Sequence, residues 1–235
     1  MTYLINDPVN INEIIKRKVY VDSITSFSPL PRDDAILHYM KGKSVLDIGF
    51  AEHNIVLAES TDWFHKKIVE IAKECVGVDL NKSLVDALNL SGYSSVVADV
   101  CGKDYLGRTF DVIHAGDIIE HLHNIEGFFG FLKRHLSPNG VVVISTPSPF
   151  SRHTLGQFIR YGIDVPNLEH VSWVTPFNII ELCRRFDMTL LERVFPTKRS
   201  SGRISLYFAM CSILPRLKKY YEFSAGENIY ILRIT

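Results

Sequence analysis

The stretch "SVLDIGFAEHN" (residues 44–54) begins as an apolar strand and ends in charged residues. Apolar residues surround Asp47 in its first half, which is typical of a strand that is covered on both faces. Gly49 then allows the backbone to turn and to approach a ligand closely. Glu52 and His53 follow at the turn, and we therefore predict that a small polar ligand is held where this strand ends.

Similar apolar strands recur along the chain and alternate with amphipathic helices. The predicted strands are residues 43–49, 75–80, 94–100, 110–116 and 141–146, and the predicted helices are residues 61–73, 81–91 and 124–136. Such alternation indicates a parallel sheet with right-handed crossovers and with helices on both faces. Two further strands are predicted at residues 188–195 and 228–235, and the last is expected to be antiparallel. The predicted fold class is therefore α/β, with a seven-stranded, mostly parallel sheet.

The length of 235 residues suits a single domain, which we divide into four parts. Residues 1–42 are expected to form an N-terminal helical cover, and residues 43–195 are expected to form the core. Residues 196–226 are too long and too apolar for a plain hairpin loop, so we predict a helical lid insertion there. Residues 227–235 form the final strand. The mixture of apolar and basic residues in the lid leaves three interpretations open: a pocket cover, a homodimer contact and a peripheral membrane contact.

Charge and cysteine usage limit the kinds of partner and compartment. The sequence has 26 basic and 26 acidic residues, and this balance does not favour a nucleic-acid partner, which would select a basic surface. The four cysteines are widely spaced and form no C-x-x-C pair, which is typical of free thiols in a reducing compartment. We see no signal peptide and no apolar stretch near the roughly 20 residues that span a bilayer. We therefore expect a cytoplasmic protein.

Aspartates stand at the ends of three successive predicted strands, at Asp47, Asp79 and Asp99. Ligands of open α/β sheets bind at the carboxyl ends of the strands. One such aspartate alone is commonly a turn or a helix cap, but three at one edge need hydrogen-bond donors. A ribose diol and an adenine amino group are suitable donors. The sequence has neither a phosphate-binding G-x-x-x-x-G-K-[ST] loop nor the G-x-G-x-x-G of dinucleotide sites.

The order "VLDIG", "VGVDL", "VVADV", "FDVIHAGDIIEHL" and "LKRHLSPNGVVVISTPSP" resembles the class I S-adenosylmethionine-dependent methyltransferases. Within that class the chain looks like types 11 and 23, which include bacterial small-molecule and glycan methyltransferases. The resemblance covers residues 43 to about 195 and the final strand. It implies a Rossmann-like fold, S-adenosylmethionine as the cofactor and S-adenosylhomocysteine as the product.

The same resemblance implies a set of cofactor contacts. Asp79 would hold the ribose hydroxyls, and Asp99 would meet the adenine amino group, with Val100 against the ring. Ala115 and Gly116 would line the sulfonium side. The complete predicted set is Asp47, Gly49, Phe50, Ala51, Glu52, His53, Asp79, Leu80, Asp99, Val100, Ala115 and Gly116.

The loop after the first strand departs from the family's usual Gly-x-Gly-x-Gly, because the chain has Gly49-Phe50-Ala51-Glu52-His53 there. One interpretation places Glu52 or His53 at the amino-acid end of the cofactor. The ammonium group of that end suits Glu52, and its carboxylate suits His53. In the other interpretation both side chains cap the next helix from solvent.

The stretch "DIIEHLH" follows the fourth predicted strand and carries the candidate catalytic residues. Asp117, Glu120 and His121 would share one helical face, and His170 precedes a later helix. His121 or His170 can serve as the general base, with Asp117 as a third catalytic residue. Alternatively these four side chains bind a divalent metal, or they only cap and pack. His114, inside the strand, is expected to be buried and hydrogen-bonded.

The expected reaction is methylation of an oxygen atom on a small molecule or a sugar. Glycan methyltransferases resemble this chain in loop and lid, so a cell-surface glycan precursor and a role in polysaccharide biosynthesis are the first expectation. Small-RNA 3′-end 2′-O-methyltransferases have a similar acid-x-x-Glu-His arrangement, which makes a metal-dependent RNA enzyme the alternative. A protein that keeps the fold without catalysis is the third possibility, and the altered glycine loop is the feature in its favour.

Overall fold

The computed structural model describes residues 10–50, 62–163, 167–196, 221–224 and 226–235. The strands are β1 (Thr25–Phe27), β2 (Ser44–Ile48), β3 (Glu74–Asp79), β4 (Ser95–Val97), β5 (Phe110–Gly116), β6 (Leu136–Pro147), β7 (Met188–Phe195) and β8 (Glu227–Ile234). The helices are α1 (Ile11–Ile24), α2 (Arg32–Met40), α3 (Phe64–Ile71), α4 (Lys82–Leu90), α5 (Ile125–His135), α6 (Arg152–Tyr161), α7 (Pro176–Arg185) and α8 (Tyr221–Ser224).

The eight strands form one sheet in the order β1-β7-β8-β6-β5-β2-β3-β4. Only β8 is antiparallel to its neighbours β6 and β7 among the strand pairs of the described chain. The predicted Rossmann-like architecture with an antiparallel last strand is confirmed. The sheet has one strand more than the seven predicted, because residues 25–27 pair with residues 193–195 at the edge.

Helices cover both faces of the sheet, as predicted. Val112 and Ile113 are successive residues of β5, so they point to opposite faces, and they belong to two separate apolar clusters. Ile113 packs in the cluster that contains Phe128 of α5. Val112 packs in the cluster that contains Ile36 of α2 and Ile68 of α3. The strands are therefore buried on both faces, which explains their continuous apolar runs.

Side-chain caps fix where the helices next to the strand ends begin. The Asn81 side chain caps α4 by accepting a hydrogen bond from the Leu84 backbone N–H. Thr175 and Asn178 form a reciprocal capping box at the start of α7. Both caps stand next to strand ends or loops that carry candidate site residues.

Part of the prediction falls on residues that the structure does not describe. These are Ala51, Glu52 and His53 of the first loop, and residues 197–220 and 225 of the predicted lid. Within the described ranges, no helix combines enough length with enough apolarity to cross a lipid bilayer.

Candidate active site

The strands that carry the predicted cofactor residues lie side by side and end at one edge of the sheet. Asp47 of β2 pairs with Gly77 of β3 and with His114 of β5. Asp79, at the end of β3, pairs with Val97 of β4. Because these strands are parallel, their carboxyl ends form a continuous rim.

Asp79 and Asp99 each use one carboxylate oxygen in a local turn. Oδ1 of Asp79 accepts from the Asn81 N–H at 2.8 Å, and Oδ1 of Asp99 accepts from the Cys101 N–H at 2.8 Å. The turn role that isolated aspartates have at strand ends is therefore present. In the described part of the chain neither Oδ2 has a hydrogen-bond donor, so two carboxylate oxygens remain available at the rim.

Apolar side chains accompany these carboxylates. Leu80 follows Asp79 and is 69% exposed, and Val100 follows Asp99 and is buried. A nucleoside has hydroxyl and amino donors together with a flat ring, which fits carboxylate acceptors beside apolar surface. The residues that the sequence predicted for the adenosine part thus suit that group, and their contacts with it remain predictions.

Asp47 lies beneath the rim rather than on it. Its Oδ1 accepts from His114 Nδ1 at 2.6 Å and its Oδ2 accepts from His65 Nδ1 at 2.7 Å. Burial alone would raise the pKa of Asp47, but the charge and hydrogen bonds of His114 and His65 outweigh burial and lower that pKa to about 2. Both carboxylate oxygens are therefore occupied, and the expectation that His114 is buried and hydrogen-bonded is confirmed.

Phe50 is buried and contributes its ring to the core. The ring packs against Gly77, where an added Cβ would lie 2.6 Å from Phe50 Cδ1. Trp63 Nε1 donates to the Phe50 carbonyl at 3.1 Å, and the His65 ring lies 4.5 Å from the Phe50 ring. Trp63 and His65, in the stretch "DWFH", therefore hold the start of the altered glycine loop.

Two glycines at the rim are required by packing. Gly49 has a φ of +69°, and a side chain there would collide with Ile118. At Gly116 a Cβ would lie 2.7 Å from His114 Cε1. Ala115, which precedes Gly116, points into the apolar core and is fully buried, so it can line the rim only with its backbone.

Arg32 joins the N-terminal cover to the strand ends, and nothing in the sequence pattern pointed to it. Its Nη2 donates to Asp117 Oδ2 at 2.6 Å and to Ser145 Oγ at 2.8 Å. Its Nε lies 2.7 Å from Glu227 Oε2. The side chain therefore connects α2 with the ends of β5, β6 and β8.

Asp117 does not share a helical face with Glu120 and His121, so this part of the prediction was wrong. Asp117 has a φ of +50°, which is left-handed, and only Ile119–His121 form a short 3-10 turn. The Asp117 carboxylate turns toward Arg32 because its backbone N–H is bound to the Ser145 carbonyl at 2.9 Å.

Glu120, His121 and His170 do come together, although 49 residues separate the two histidines in sequence. One potential ligand atom from each of the three lies within 4.8 Å of the others. The two imidazole rings meet edge to face with centroids 4.7 Å apart. The Glu120 carbonyl accepts from the N–H groups of Val171 and Ser172, which fixes the loop that carries His170.

Burial shifts the pKa values of Glu120 and His170 so that the uncharged form of each is favoured. Burial raises the pKa of Glu120 to about 7, and the negative charges of Asp117 and Glu227 add to that. Burial also lowers the pKa of His170, and His121 contributes to that. Thr146 Oγ1 donates to Glu120 Oε2 at 3.0 Å. Chemically, such a cluster can accept a proton at neutral pH or can bind a divalent cation.

The comparisons with known proteins agree with this architecture. The family model described as a methyltransferase domain matches residues 16–193, which is more than half of the chain. The chain belongs to this methyltransferase family. It is an S-adenosylmethionine-dependent methyltransferase, with the class I fold that the sequence predicted. No curated protein matches the sequence of this methyltransferase.

Solved structures show the same fold at low sequence identity. An S-adenosylmethionine-dependent methyltransferase from Mesorhizobium loti is 15% identical with a TM-score of 0.54, over 86% of this chain and 95% of its own. The N-methyltransferase NodS from Bradyrhizobium japonicum WM9, in complex with S-adenosylhomocysteine, is 16% identical with a TM-score of 0.53, over 86% and 85% of the two chains. A chain from the complex of the Haloferax volcanii Trm112 activator with a methyltransferase is 10% identical with a TM-score of 0.56, over 94% and 91%.

Proposed function

We propose that this methyltransferase transfers the methyl group to an oxygen atom of a small molecule or a sugar, with a cell-surface glycan precursor as the acceptor class. The observation that carries the proposal is the Glu120–His121–His170 cluster next to the rim. A hydroxyl acceptor must lose a proton during methyl transfer, and this cluster supplies groups that can take it.

The chain's rim residues would hold S-adenosylmethionine through its nucleoside. Asp79 Oδ2 would accept from the ribose hydroxyls and Asp99 Oδ2 from the adenine amino group, with Leu80 and Val100 beside the ring. The cofactor supplies an electrophilic methyl group on a sulfonium. The contribution of the protein is then to position the acceptor oxygen in line with that group.

His170 is the group that we assign as the general base. Its lowered pKa keeps the imidazole unprotonated at neutral pH, so it can accept the hydroxyl proton. Its Nε2 lies 4.0 Å from Glu120 Oε1, and a nearby carboxyl group can stabilise the imidazolium that forms. His121 packs against the same ring and is the alternative base. Asp117 acts indirectly in this proposal, since its negative charge raises the pKa of Glu120.

An aromatic side chain next to the base supports a sugar as the acceptor. The Trp173 ring lies 6.2 Å from the His170 ring at an interplanar angle of 87°. An indole presents a large apolar face and a polar N–H, a combination that suits the apolar and hydroxyl-bearing sides of a sugar.

A second candidate function uses the same three side chains as metal ligands. Glu120, His121 and His170 offer one oxygen and two nitrogen atoms within 4.8 Å, a set that divalent transition metals accept. This arrangement supports an RNA 3′-end 2′-O-methyltransferase, in which these three side chains would hold a divalent metal and the metal would help to orient the terminal hydroxyls.

Methyl transfer from radiolabelled S-adenosylmethionine tests both candidates. The acceptors are a panel of sugar nucleotides and a short RNA with free 3′ hydroxyls, with and without EDTA. We expect sugar methylation that persists in EDTA. His170→Ala should lower kcat by about 10²–10⁴ and leave the affinity for S-adenosylhomocysteine within about twofold. His153→Ala, in the exposed first turn of α6, is the control.

The outcomes separate the candidates. Activity on RNA alone, lost in EDTA and restored by Mn²⁺, would favour the metal-dependent enzyme. Methylation of an amine without any hydroxyl acceptor would overturn the oxygen assignment. Full activity of both His170→Ala and His121→Ala would exclude the proposed base.

A further inference from the structure

Helix α6 packs no side chain fully into the core, although its sequence is amphipathic. None of the residues Arg152–Tyr161 is buried. Leu155, Phe158 and Ile159 have the i, i+3 and i+4 spacing that places side chains on one side of a helix. Phe158 is 53% exposed and Ile159 is 82% exposed. Because an amphipathic helix normally turns its apolar side toward a core, this side of α6 is available to an apolar environment outside the chain.

Local hydrogen bonds hold α6 as a helix without packing against the core. The Ser151 hydroxyl accepts from the Thr154 N–H at 3.2 Å, and Thr154 Oγ1 donates to the Ser148 carbonyl at 3.2 Å. At the other end Gly162 has a φ of +71°, and its N–H donates to the Phe158 carbonyl at 2.8 Å. The apolar side is therefore carried by a preformed helix and does not need to fold when it meets a partner.

The charged residues of this segment are all basic. Residues 148–163 contain Arg152, His153 and Arg160 but no aspartate or glutamate, and the next acidic residue in the sequence is Asp164. Both arginines are exposed, and neither forms an ion pair within the described ranges. Their spacing places them on one side of the helix, next to its apolar side. Exposed apolar side chains beside positive charge are the combination that anionic lipid headgroups attract.

The size of this surface favours a lipid bilayer over a second protein chain. A helix of ten residues is roughly 15 Å long and roughly 10 Å wide, so it covers only about 150 Å². Each partner in a stable protein interface buries roughly 800 Å². A bilayer demands no such area, because apolar side chains can enter the headgroup boundary one by one. Arginine stems can lie along that boundary with their charged ends at the phosphates.

We propose that α6 docks this methyltransferase on an anionic lipid surface. Phe158 and Ile159 enter the boundary between headgroups and acyl chains. The guanidinium groups of Arg152 and Arg160 meet the lipid phosphates. Residues 148–151 connect α6 to the carboxyl end of β6, so docking would keep the rim near the lipid surface. The inference goes beyond the proposed methyl transfer and does not depend on which acceptor is methylated.

Co-sedimentation of the full chain with vesicles tests the docking. Vesicles of phosphatidylcholine mixed with phosphatidylglycerol are compared with vesicles of phosphatidylcholine alone. We expect binding to the anionic vesicles that weakens as salt rises. Arg152→Gln/Arg160→Gln should weaken it about 25-fold, since each basic group near an anionic surface contributes about fivefold. Phe158→Ser/Ile159→Ser should weaken it by at least about tenfold, because the apolar contact is lost.

Two variants outside α6 serve as matched controls. Lys16→Gln/Lys18→Gln on α1 makes the same change in net charge at two exposed positions. Leu90→Ser removes a side chain that is 91% exposed at the end of α4. Both should bind anionic vesicles within about twofold of the wild type, because charges and apolar groups away from the contact are screened or do not reach it. Thermal unfolding of all variants should match the wild type, since the changed side chains are exposed or only partly buried.

Several results would overturn the docking. Equal binding of the wild type to both kinds of vesicle would exclude the charge contact, and unchanged binding of Phe158→Ser/Ile159→Ser would exclude the apolar contact. An equal loss in the lysine control would assign the binding to net charge rather than to α6. A wild-type dimer that binds no vesicles, and that the α6 variants convert to a monomer, would assign this surface to a second copy of the chain. The assay contains neither cofactor nor acceptor, so its failure is distinguishable from a failure of the proposed methyl transfer.

Discussion

Asp47 and Glu120 are two buried carboxyl groups near the same strand ends, and their environments shift their pKa values in opposite directions. Asp47 is 2% exposed and Glu120 is 1% exposed, so burial penalises both charges. Yet the pKa of Asp47 is lowered to about 2, whereas that of Glu120 is raised to about 7. Burial alone therefore does not decide whether a carboxyl group inside this protein is ionised.

The difference lies in the hydrogen-bond donors. Each Asp47 oxygen accepts from an imidazole nitrogen at 2.6 or 2.7 Å. His170 Nε2 lies 4.0 Å from Glu120 Oε1, and in the described ranges the carboxyl group accepts from the Thr146 hydroxyl and from the Glu120 backbone rather than from an imidazole. Asp47 is thus fixed in one protonation state, while Glu120 can change its state near pH 7. The first arrangement suits a positioning role and the second suits proton transfer.

The largest expected effect comes from neutralising Asp47. Asp47→Asn leaves two buried imidazoles without the carboxylate that binds them, so we expect a loss of about 3–5 kcal/mol in the free energy of unfolding. Because the native pKa is depressed, the stabilisation by wild-type Asp47 is complete above the unfolded value of 3.8 and is lost only as pH falls through about 2. The loss in the variant should therefore be present at both pH 5 and pH 8 in urea unfolding.

The control is Asp86→Asn on α4, where an exposed carboxylate pairs with Lys82 at 2.7 Å. It should cost less than about 0.5 kcal/mol. A loss below about 1 kcal/mol in Asp47→Asn would mean that the two histidines do not depend on the carboxylate, and the contrast with Glu120 would disappear.

Glu120→Gln should raise the free energy of unfolding, whereas Asp47→Asn should lower it, and the gain should depend on pH. The native pKa of about 7 is above the unfolded value of 4.5, so the stabilisation from this group is complete below pH 4.5 and is lost as pH rises through about 7. Glutamine mimics the protonated form. We expect equal stabilities near pH 4.5 and an advantage of about 2–3 kcal/mol for the variant at pH 8. Thermal and urea unfolding at pH 4.5 and pH 8 measure this difference in stability between variant and wild type.

Glu126→Gln, in the exposed first turn of α5, is the matched control and should change the free energy of unfolding by less than about 0.5 kcal/mol. If Glu120→Gln were less stable than the wild type at pH 8, Glu120 would be an ionised structural group like Asp47. The proposed proton transfer would then lose its carboxyl partner.

Most of the sheet was predictable from sequence because strands covered on both faces leave long apolar runs. The runs around Val45, Val76 and Val142 predicted β2, β3 and β6, and the residues there are buried. The edge strand β1 has only three residues and no apolar periodicity, so it was missed. Helix α6 was missed as well, because none of its residues is buried and it therefore carries no core-facing stripe.

The site was predictable only where sequence neighbours share a strand end. Asp79 and Asp99 belong to short local turns, so their position at the rim followed from the strands alone. Arg32 meets Asp117 across 85 residues of sequence, and no local pattern encodes that contact. His65 lies within the predicted helix of residues 61–73, and only the structure shows that its imidazole is buried and bound to Asp47.

The smallest expected effect comes from removing the hydroxyl that donates to Glu120. Thr146→Val removes the hydroxyl that donates to Glu120 Oε2 at 3.0 Å and keeps the shape of the side chain. Because this bond favours the ionised carboxylate, we expect a loss of about 1 kcal/mol in unfolding free energy at pH 8 and a smaller loss at pH 5. Thr189→Val on β7, whose hydroxyl contacts that of Thr235, should show no such difference between the two pH values. An equal loss at pH 5 and pH 8 for Thr146→Val would show that Glu120 keeps one charge state across this range. A hydroxyl at Glu120 would then have the same consequence as the imidazoles at Asp47, and the kind of donor could not explain why the two groups differ.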